Sequence, residues 1–294
     1  VVGALTRPGA SVAAVADSAA VSVAPDSARV RIVATDTTTA TIADRGVGET
    51  SRARGDNFVT VFLSDLGYVV SSPARMDRSS ALWTAAVLGT TGLLYACDQE
   101  LFDATQRAHG NGAYDLIVED VGDFIEPVGN MGNTNAFYFA GWAVGHALQI
   151  PPLKVIPFQF LESHAISGGI RNLAEISVGR FRPAAGRGPR HFESGDGTSF
   201  PSGHASVAFE LATIVSHHAR SQPVSVLCYG LATALAVQRV DSKSHWPSDA
   251  FLAAATGHVI ARTIVRRQDR REAAHAPAVG LLPDPRGVRV VVTF

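Results

Sequence analysis

The sequence predicts an all-α fold, a single-domain multi-helix bundle with an irregular segment before it and a short tail after it. Three observations carry this expectation. From about residue 57 the chain runs in long segments whose apolar residues recur at helical spacing. Val207, Ala208, Leu211, Ile214 and Val215 make one such set, and Leu227, Leu231, Leu235 and Val237 another. Hydrophobic residues make up 46% of the 294 residues and charged residues 17%, which is enough for a sizeable core. Strand signals are scarce, apart from Val288-Arg-Val-Val-Val-Thr-Phe294 at the end.

Taken in order, residues 1–55 are rich in Ala, Ser, Thr, Val and Asp with little periodicity, and read as an irregular or flexible segment. Within them, Arg29 to Thr35 is a candidate short strand, and the threonine-rich run at 37–41 reads as loop. The helical domain then covers 56–270, with candidate helices at about 57–70, 79–106, 113–127, 134–149, 152–180, 204–219, 223–240 and 246–268. Pro151-Pro152 ends one helix and starts the next. Residues 271–294 form the tail with its short strand. Ala81 to Cys97 carries no charge, yet it falls short of the ~20 residues of a spanning helix and holds Thr84, Gly89, Thr90, Thr91 and Gly92. Hydrophobic core helices are the expected reading, with a peripheral membrane contact left open.

Composition excludes some functions. A formal net charge of −1 does not suit a nucleic-acid partner, which needs a basic face. Lysine is confined to Lys154 and Lys243, so arginine supplies nearly all the positive charge. The two cysteines, Cys97 and Cys228, lie in apolar helical stretches and are expected as buried free thiols. No set of cysteines or paired histidines has zinc-ligand spacing, so no metal is expected. The chain begins at Val1, which points to removal of a leader of undetermined kind.

Three stretches carry chemistry. Val178-Gly-Arg-Phe-Arg-Pro183 closes a helix and places Arg180 and Arg182 at its end, where two arginines could simply complement the helix dipole. In Ser199-Phe-Pro-Ser-Gly-His-Ala-Ser206, Ser202 can cap the following helix, and Gly203 lets an anion approach the exposed N–H groups. Taken alone it is an ordinary cap beside a histidine. Gln238-Arg239 is followed after five residues by His245-Trp-Pro-Ser-Asp249. At four residues' spacing Asp249 is expected to hold one imidazole nitrogen of His245 and leave the other free as nucleophile or base. A plain helix start would also account for it.

In order and spacing, Arg182-Pro183, Pro201-Ser-Gly-His204 and Arg239-x5-His245-x3-Asp249 resemble the signature of the type 2 phosphatidic acid phosphatase and vanadium haloperoxidase superfamily. The resemblance covers roughly residues 60–268, including Asp98 after an apolar helix, and it implies a helical bundle of that type. It departs from the pattern twice. Gln238 stands where the family has serine, and Glu175 stands at the family lysine position, where a carboxylate repels phosphate unless it turns toward Arg171, Arg180, Lys154 or Lys243.

The resemblance implies a metal-independent phosphomonoesterase of the bacterial phosphatase branch, acting on lipid phosphates or small phosphate esters through a phosphohistidine. Arg182, Ser202, Gly203 and Arg239 would bind phosphate, His245 would attack, Asp249 would orient it, and His204 would serve as acid and then base. No cofactor is implied; vanadate is expected as an inhibitor. An exported, periplasmic or membrane-associated location follows by resemblance alone. Two alternatives stay open: a haloperoxidase that uses vanadate as cofactor, and a catalytically impaired phosphate-binding helical protein that carries Glu175. His164 is a further candidate for lining the site, while His258 reads as a core group and His217 and His218 as solvent-facing.

Overall fold

Helix boundaries fall where proline, glycine and short polar caps put them. A computed structural model describes residues 19–23, 30–34, 58–275, 278–284 and 287–293. The chain divides into two units, Asp56–Gln268 and a second made of Val1–Gly55 with Asp269–Phe294.

The helices of the larger unit begin with α1 (Phe58–Val70), α2 (Arg78–Ala96) and α3 (Asp98–Ala108). Asp77 caps α2 by accepting from the Ser80 N–H at 2.8 Å. A single turn, α4 (Gly112–Tyr114), runs through a π-helical segment, Asp115–Asp120, into α5 (Val121–Gly129). Then come α6 (Met131–Ala147), α7 (Pro151–Val178), α8 (Gly203–Ala219), α9 (Gln222–Asp241) and α10 (Pro247–His275), the last ending beyond this unit. Asn130 caps α6 and Ser202 caps α8, as their types favour. Gly179 ends α7 in the left-handed conformation, with φ of 58°. A Cβ there would lie 2.0 Å from the carbonyl oxygen of Glu193, so glycine is required twice over.

The core forms around α8. Val207 and Ile214 pack with Tyr138 of α6, Phe160 of α7, and Ala261 and Val265 of α10. Full burial of one such large side chain contributes about 1.5–3 kcal/mol. On another face Ala208 and Ala212 meet Ala232 and Leu235, and the three alanines let α8 and α9 approach closely. Beneath the helix starts, Ala205, Val240, Ala250 and Ala253 form a tight floor.

Two expectations need correction here. The segment expected as one helix at 79–106 bends by 69° at Cys97, because Asp98 is drawn into a buried ionic cluster described below. The Ala81–Cys97 stretch is also not a core helix, since α2 has no buried residue among its described side chains. Leu82, Trp83, Leu88 and Leu93 all face outward. Cys97 is exposed rather than buried, and both cysteines are free. Among the described residues, α9 is the one helix long and apolar enough to cross a membrane; α2 and α3 qualify only as one bent span.

The second unit contains a four-stranded antiparallel sheet of order β2-β1-β4-β3, built from β1 (Ala19–Val23), β2 (Val30–Ala34), β3 (Ala278–Asp284) and β4 (Gly287–Thr293). The expected tail strand is β4 and the candidate at Arg29–Thr35 is β2. β1 was not expected, and the segment read as irregular is regular there. Ala-Ala-Val-Ser-Val has too little alternation to mark a strand, and its regularity comes from pairing with β2 and with distant β4. The run at 37–41 lies outside the described residues.

Candidate active site

After Gly179 the chain turns inward and carries Arg180 into the protein, where only 2% of its surface remains exposed. Its guanidinium is fully engaged. Nη2 donates to Asp98 Oδ2 at 2.6 Å, and Nη1 to Asp249 Oδ1 at 2.6 Å and Ser248 Oγ at 2.8 Å. Nε donates to the Pro189 carbonyl at 2.9 Å. Asp98 and Asp249 are wholly buried, and Asp98 also accepts from the Ser248 N–H and hydroxyl. One guanidinium thus ties the end of α7 to the starts of α3 and α10. Two residues on, Arg182 is exposed, with only long contacts of 3.4 and 3.5 Å to the Thr198 carbonyl.

Asp249 does not touch His245 as expected. Pro247 opens α10, and the Asp249 carboxylate folds back to accept the Trp246 N–H at 3.2 Å, as in a capping box. His245 lies ahead of that cap, so the spacing of four does not place it one helical turn from Asp249. The carboxylate instead accepts from Ser199 Oγ at 2.5 Å, and the Ser199 carbonyl accepts from His245 Nδ1 at 2.6 Å. A carbonyl can only accept, so Nδ1 carries the proton and Nε2 keeps a free lone pair. Burial lowers the His245 pKa to about 3, with the charge of Arg182 and the neighbouring His204 and Arg239 acting in the same direction. Burial also pushes the Asp249 carboxyl up, to about 6, against the pull of Arg180 and Ser199.

His204 occupies the first turn of α8. Ser202 Oγ accepts the Ala205 N–H at 3.4 Å, and helix geometry leaves the N–H groups of Gly203 and His204 without acceptors inside the helix. His204 Nε2 donates to Glu126 Oε1 at 3.0 Å, and the same oxygen accepts from Arg239 Nη1 at 2.8 Å. Arg239 is otherwise held by Gln238 Oε1 on Nε at 2.8 Å and by Ser242 Oγ on Nη2 at 3.2 Å. Gln238 in turn donates to Asp123 Oδ1 at 2.5 Å. Burial lowers the His204 pKa below the usual histidine range, aided by Arg239, while Glu126 opposes the shift. One turn beyond Glu126, a Cβ on Gly129 would lie 2.5 Å from the His204 ring, so glycine is what lets α5 close against it.

The sequence model of the PAP2 superfamily matches residues 157–273, which hold all three motifs. Over these residues the chain is similar to the PAP2 superfamily. A lipid A 1-phosphatase of Porphyromonas gingivalis is 35% identical over 101 residues, covering 33% of this chain and 20% of that protein. The chain thus matches about a fifth of the length of that curated relative. The transmembrane PAP2-type phosphatidylglycerolphosphate phosphatase of Bacillus subtilis aligns over 72% of this chain and 96% of its own, at 15% identity and a TM-score of 0.43. LpxE of Aquifex aeolicus aligns over 57% and 94%, at 17% identity and a TM-score of 0.41.

The two departures from the PAP2 pattern find different places. Gln238 does what a serine is too short to do, bridging Asp123 to Arg239. Glu175 lies one turn from Arg171 on α7 and supports that cation's charge, whereas Arg180 is committed to Asp98 and Asp249. Lys154 bonds Gln149, and Lys243 is exposed in the loop whose carbonyl accepts from the Ala184 N–H at 3.0 Å. His164 does not line the site. It stacks on Phe160 and faces Glu210, six residues along α8 from His204. His258 is held by Thr213 and Tyr229, as a core group should be. His218, expected in solvent, is partly buried on Gln159 at 2.7 Å, because α7 covers that end of α8.

Sequence reasoning missed Glu126 and the roles of Ser199 and Arg180. Glu126 is one of two acids in α5, with no motif to set it apart. Ser199 holds His245 through its carbonyl, which any residue type possesses, and its hydroxyl reaches Asp249, 50 residues away in sequence. Arg180 carried a signal, the doubled arginine before Pro183, but which of the two turns inward depends on Asp98 and Asp249.

Proposed function

We propose that the protein is a metal-independent phosphomonoesterase that hydrolyses lipid phosphates through a phosphohistidine on His245. The observation that carries this reading is the buried, neutral His245 whose Nδ1 is fixed by the Ser199 carbonyl, with Arg182, Arg239 and His204 close enough to shift its titration. Such an imidazole offers its Nε2 lone pair without first losing a proton, and the arginines supply the charge that draws phosphate to it.

In the first step His245 Nε2 attacks phosphorus and the ester P–O bond breaks. His204 gives its Nε2 proton to the departing alkoxide. Arg182, Arg239 and the N–H groups of Gly203 and His204 hold the equatorial oxygens as charge develops. In the second step water attacks phosphorus, His204 takes a proton from it, and the P–N bond breaks to release inorganic phosphate. Asp249 acts at one remove by holding Ser199, and Arg180 by holding Asp249.

A lipid substrate and a membrane-associated setting, on the exported side, fit the outward apolar side chains of α2, Phe124 of α5, Phe137 and Phe139 of α6 and Leu173 and Ile176 of α7. They also fit the length and composition of α9. A cavity of about 770 Å³ between α3, α9 and α10, lined by Leu101, Ala104, Val237, Val240, Ala250 and Phe251, offers room for an acyl chain. Glu175 favours a second reading, in which the site binds phosphate but turns over slowly for want of the family's lysine.

The test is hydrolysis of p-nitrophenyl phosphate and of phosphatidic acid in mixed micelles, with EDTA, with and without vanadate. Turnover that vanadate inhibits and that His245→Ala lowers by about 10³-fold or more supports the reading. Turnover unaffected by His245→Ala contradicts it. Absent wild-type turnover that appears in Glu175→Lys selects the second reading.

A further inference from the structure

We propose that Glu126 is a built-in occupant of the phosphate cradle, so that its carboxylate holds Arg239 and His204 in the free protein and an incoming phosphoryl group must displace it. This rests on the reading of the site given above. One carboxylate oxygen sits 3.0 Å from His204 Nε2 and 2.8 Å from Arg239 Nη1. Those are the atoms through which the two residues would reach a phosphate. Nε and one N–H of Nη2 of Arg239 are engaged by Gln238 and Ser242, and Glu126 sits on Nη1, the nitrogen with no other partner among the described residues.

The setting of Glu126 suits a movable occupant. About a third of its side chain is exposed, at 32%, so it has solvent to turn into. The backbone beneath it cannot yield, because Gly129 is pressed against the His204 ring and Asp123, one turn earlier, is tied to Gln238. Exchange therefore takes place by side-chain rotation, with α5 staying in place. The charges around Glu126 are His204 on α8, Arg239 on α9, Asp123 on its own helix and Arg182 from the loop after α7, whose field reaches His204. A carboxylate left beside a bound phosphate would be repelled, and with Glu175 in place of a lysine the site has little positive charge to spare.

The proposal makes a prediction opposite to that of a merely supporting role. If Glu126 only orients His204 and Arg239, its removal weakens oxyanion binding. If it occupies the cradle, its removal strengthens binding. The measurement is calorimetric titration of the full chain with inorganic phosphate for wild type, Glu126→Gln, Glu126→Ala and Arg239→Ala, each checked for folding by thermal unfolding. Binding about tenfold or more tighter in both Glu126 variants is expected. Unchanged or weaker binding in the folded variants overturns the proposal. Arg239→Ala separates the two levels of inference. If it abolishes binding while the Glu126 variants leave it unchanged, only the occupant role fails; if it leaves binding unchanged, the site reading itself fails. Should the variants not fold, the carbon NMR signal of the Glu126 carboxyl in wild type decides. It shifts as phosphate saturates the protein, and a signal that stays put contradicts the proposal.

Discussion

Arg180 and Arg182 stand two residues apart and do opposite work. Arg180 is buried, and its guanidinium is saturated by two carboxylates, a hydroxyl and a carbonyl. Arg182 is exposed and held only by long contacts to one carbonyl. The first is a structural tie whose charge is cancelled where it lies. The second is left open to solvent, with no carboxylate partner among the described residues. A milder form of the contrast separates the floor of the site, Asp98, Asp249, Ser199 and Ser248, from its more open groups, Arg182, His204 and Glu126, with buried Arg239 between the two. A polar residue at such a site is available to substrate only where the protein has left its hydrogen-bonding capacity unfilled.

The largest expected effect breaks the floor. Arg180→Ala leaves Asp98 and Asp249 buried without a counter-charge, which should cost about 3–5 kcal/mol. Thermal unfolding should show a Tm lower by on the order of 10 °C, with activity lost as well. Arg182→Ala, in contrast, should unfold within about 0.5 kcal/mol of wild type yet lose about 10²–10³-fold in kcat/KM. Equal effects of the two substitutions on stability would erase the distinction drawn between them. Ser199→Ala tests the link between the floor and His245. It removes a hydroxyl from buried Asp249 but keeps the carbonyl that fixes His245, so about 1–3 kcal/mol of stability should go while kcat falls only several-fold.

The smallest effect is in pH. His204 must be protonated to serve a poor leaving group, and its pKa in the free protein is lowered by burial and by Arg239. For an alkyl phosphate, kcat/KM should therefore fall with rising pH from below the usual histidine range, by about tenfold per unit. His245, neutral above about 3, adds no acid limb in the working range. p-Nitrophenyl phosphate, which leaves without help, should show a shallower decline. In Glu126→Gln the alkyl-phosphate limb should move to lower pH, because Glu126 is the group that favours the charged imidazole.

The candidate residues Arg182, Ser202, Gly203, His204, Arg239 and His245 stood out in the sequence because they sit in short motifs with fixed spacing. The helices were legible too, as α1, α8 and α9 follow from apolar periodicity and α8 also from its Ser202 cap. What could not be read is what depends on distant partners. The bend at Cys97 follows from Asp98 meeting Arg180 and Ser248, and β1 follows from β4, some 270 residues away. The expected Asp249–His245 contact failed for a local reason. A helix that starts at Pro247 turns the acid at its third position back on its own cap. Glu126 had no signal because its part is set by the packing of α5 on α8 and α9, and no local pattern encodes that.

The covalent step is the claim on which the rest depends, and rapid alkaline quenching during turnover tests it most directly. Peptide mass spectrometry after mixing with a lipid phosphate should find an acid-labile phosphoryl group on the peptide bearing His245, absent in His245→Ala. Steady hydrolysis with no such adduct, or with the phosphoryl group on another residue, would contradict the account.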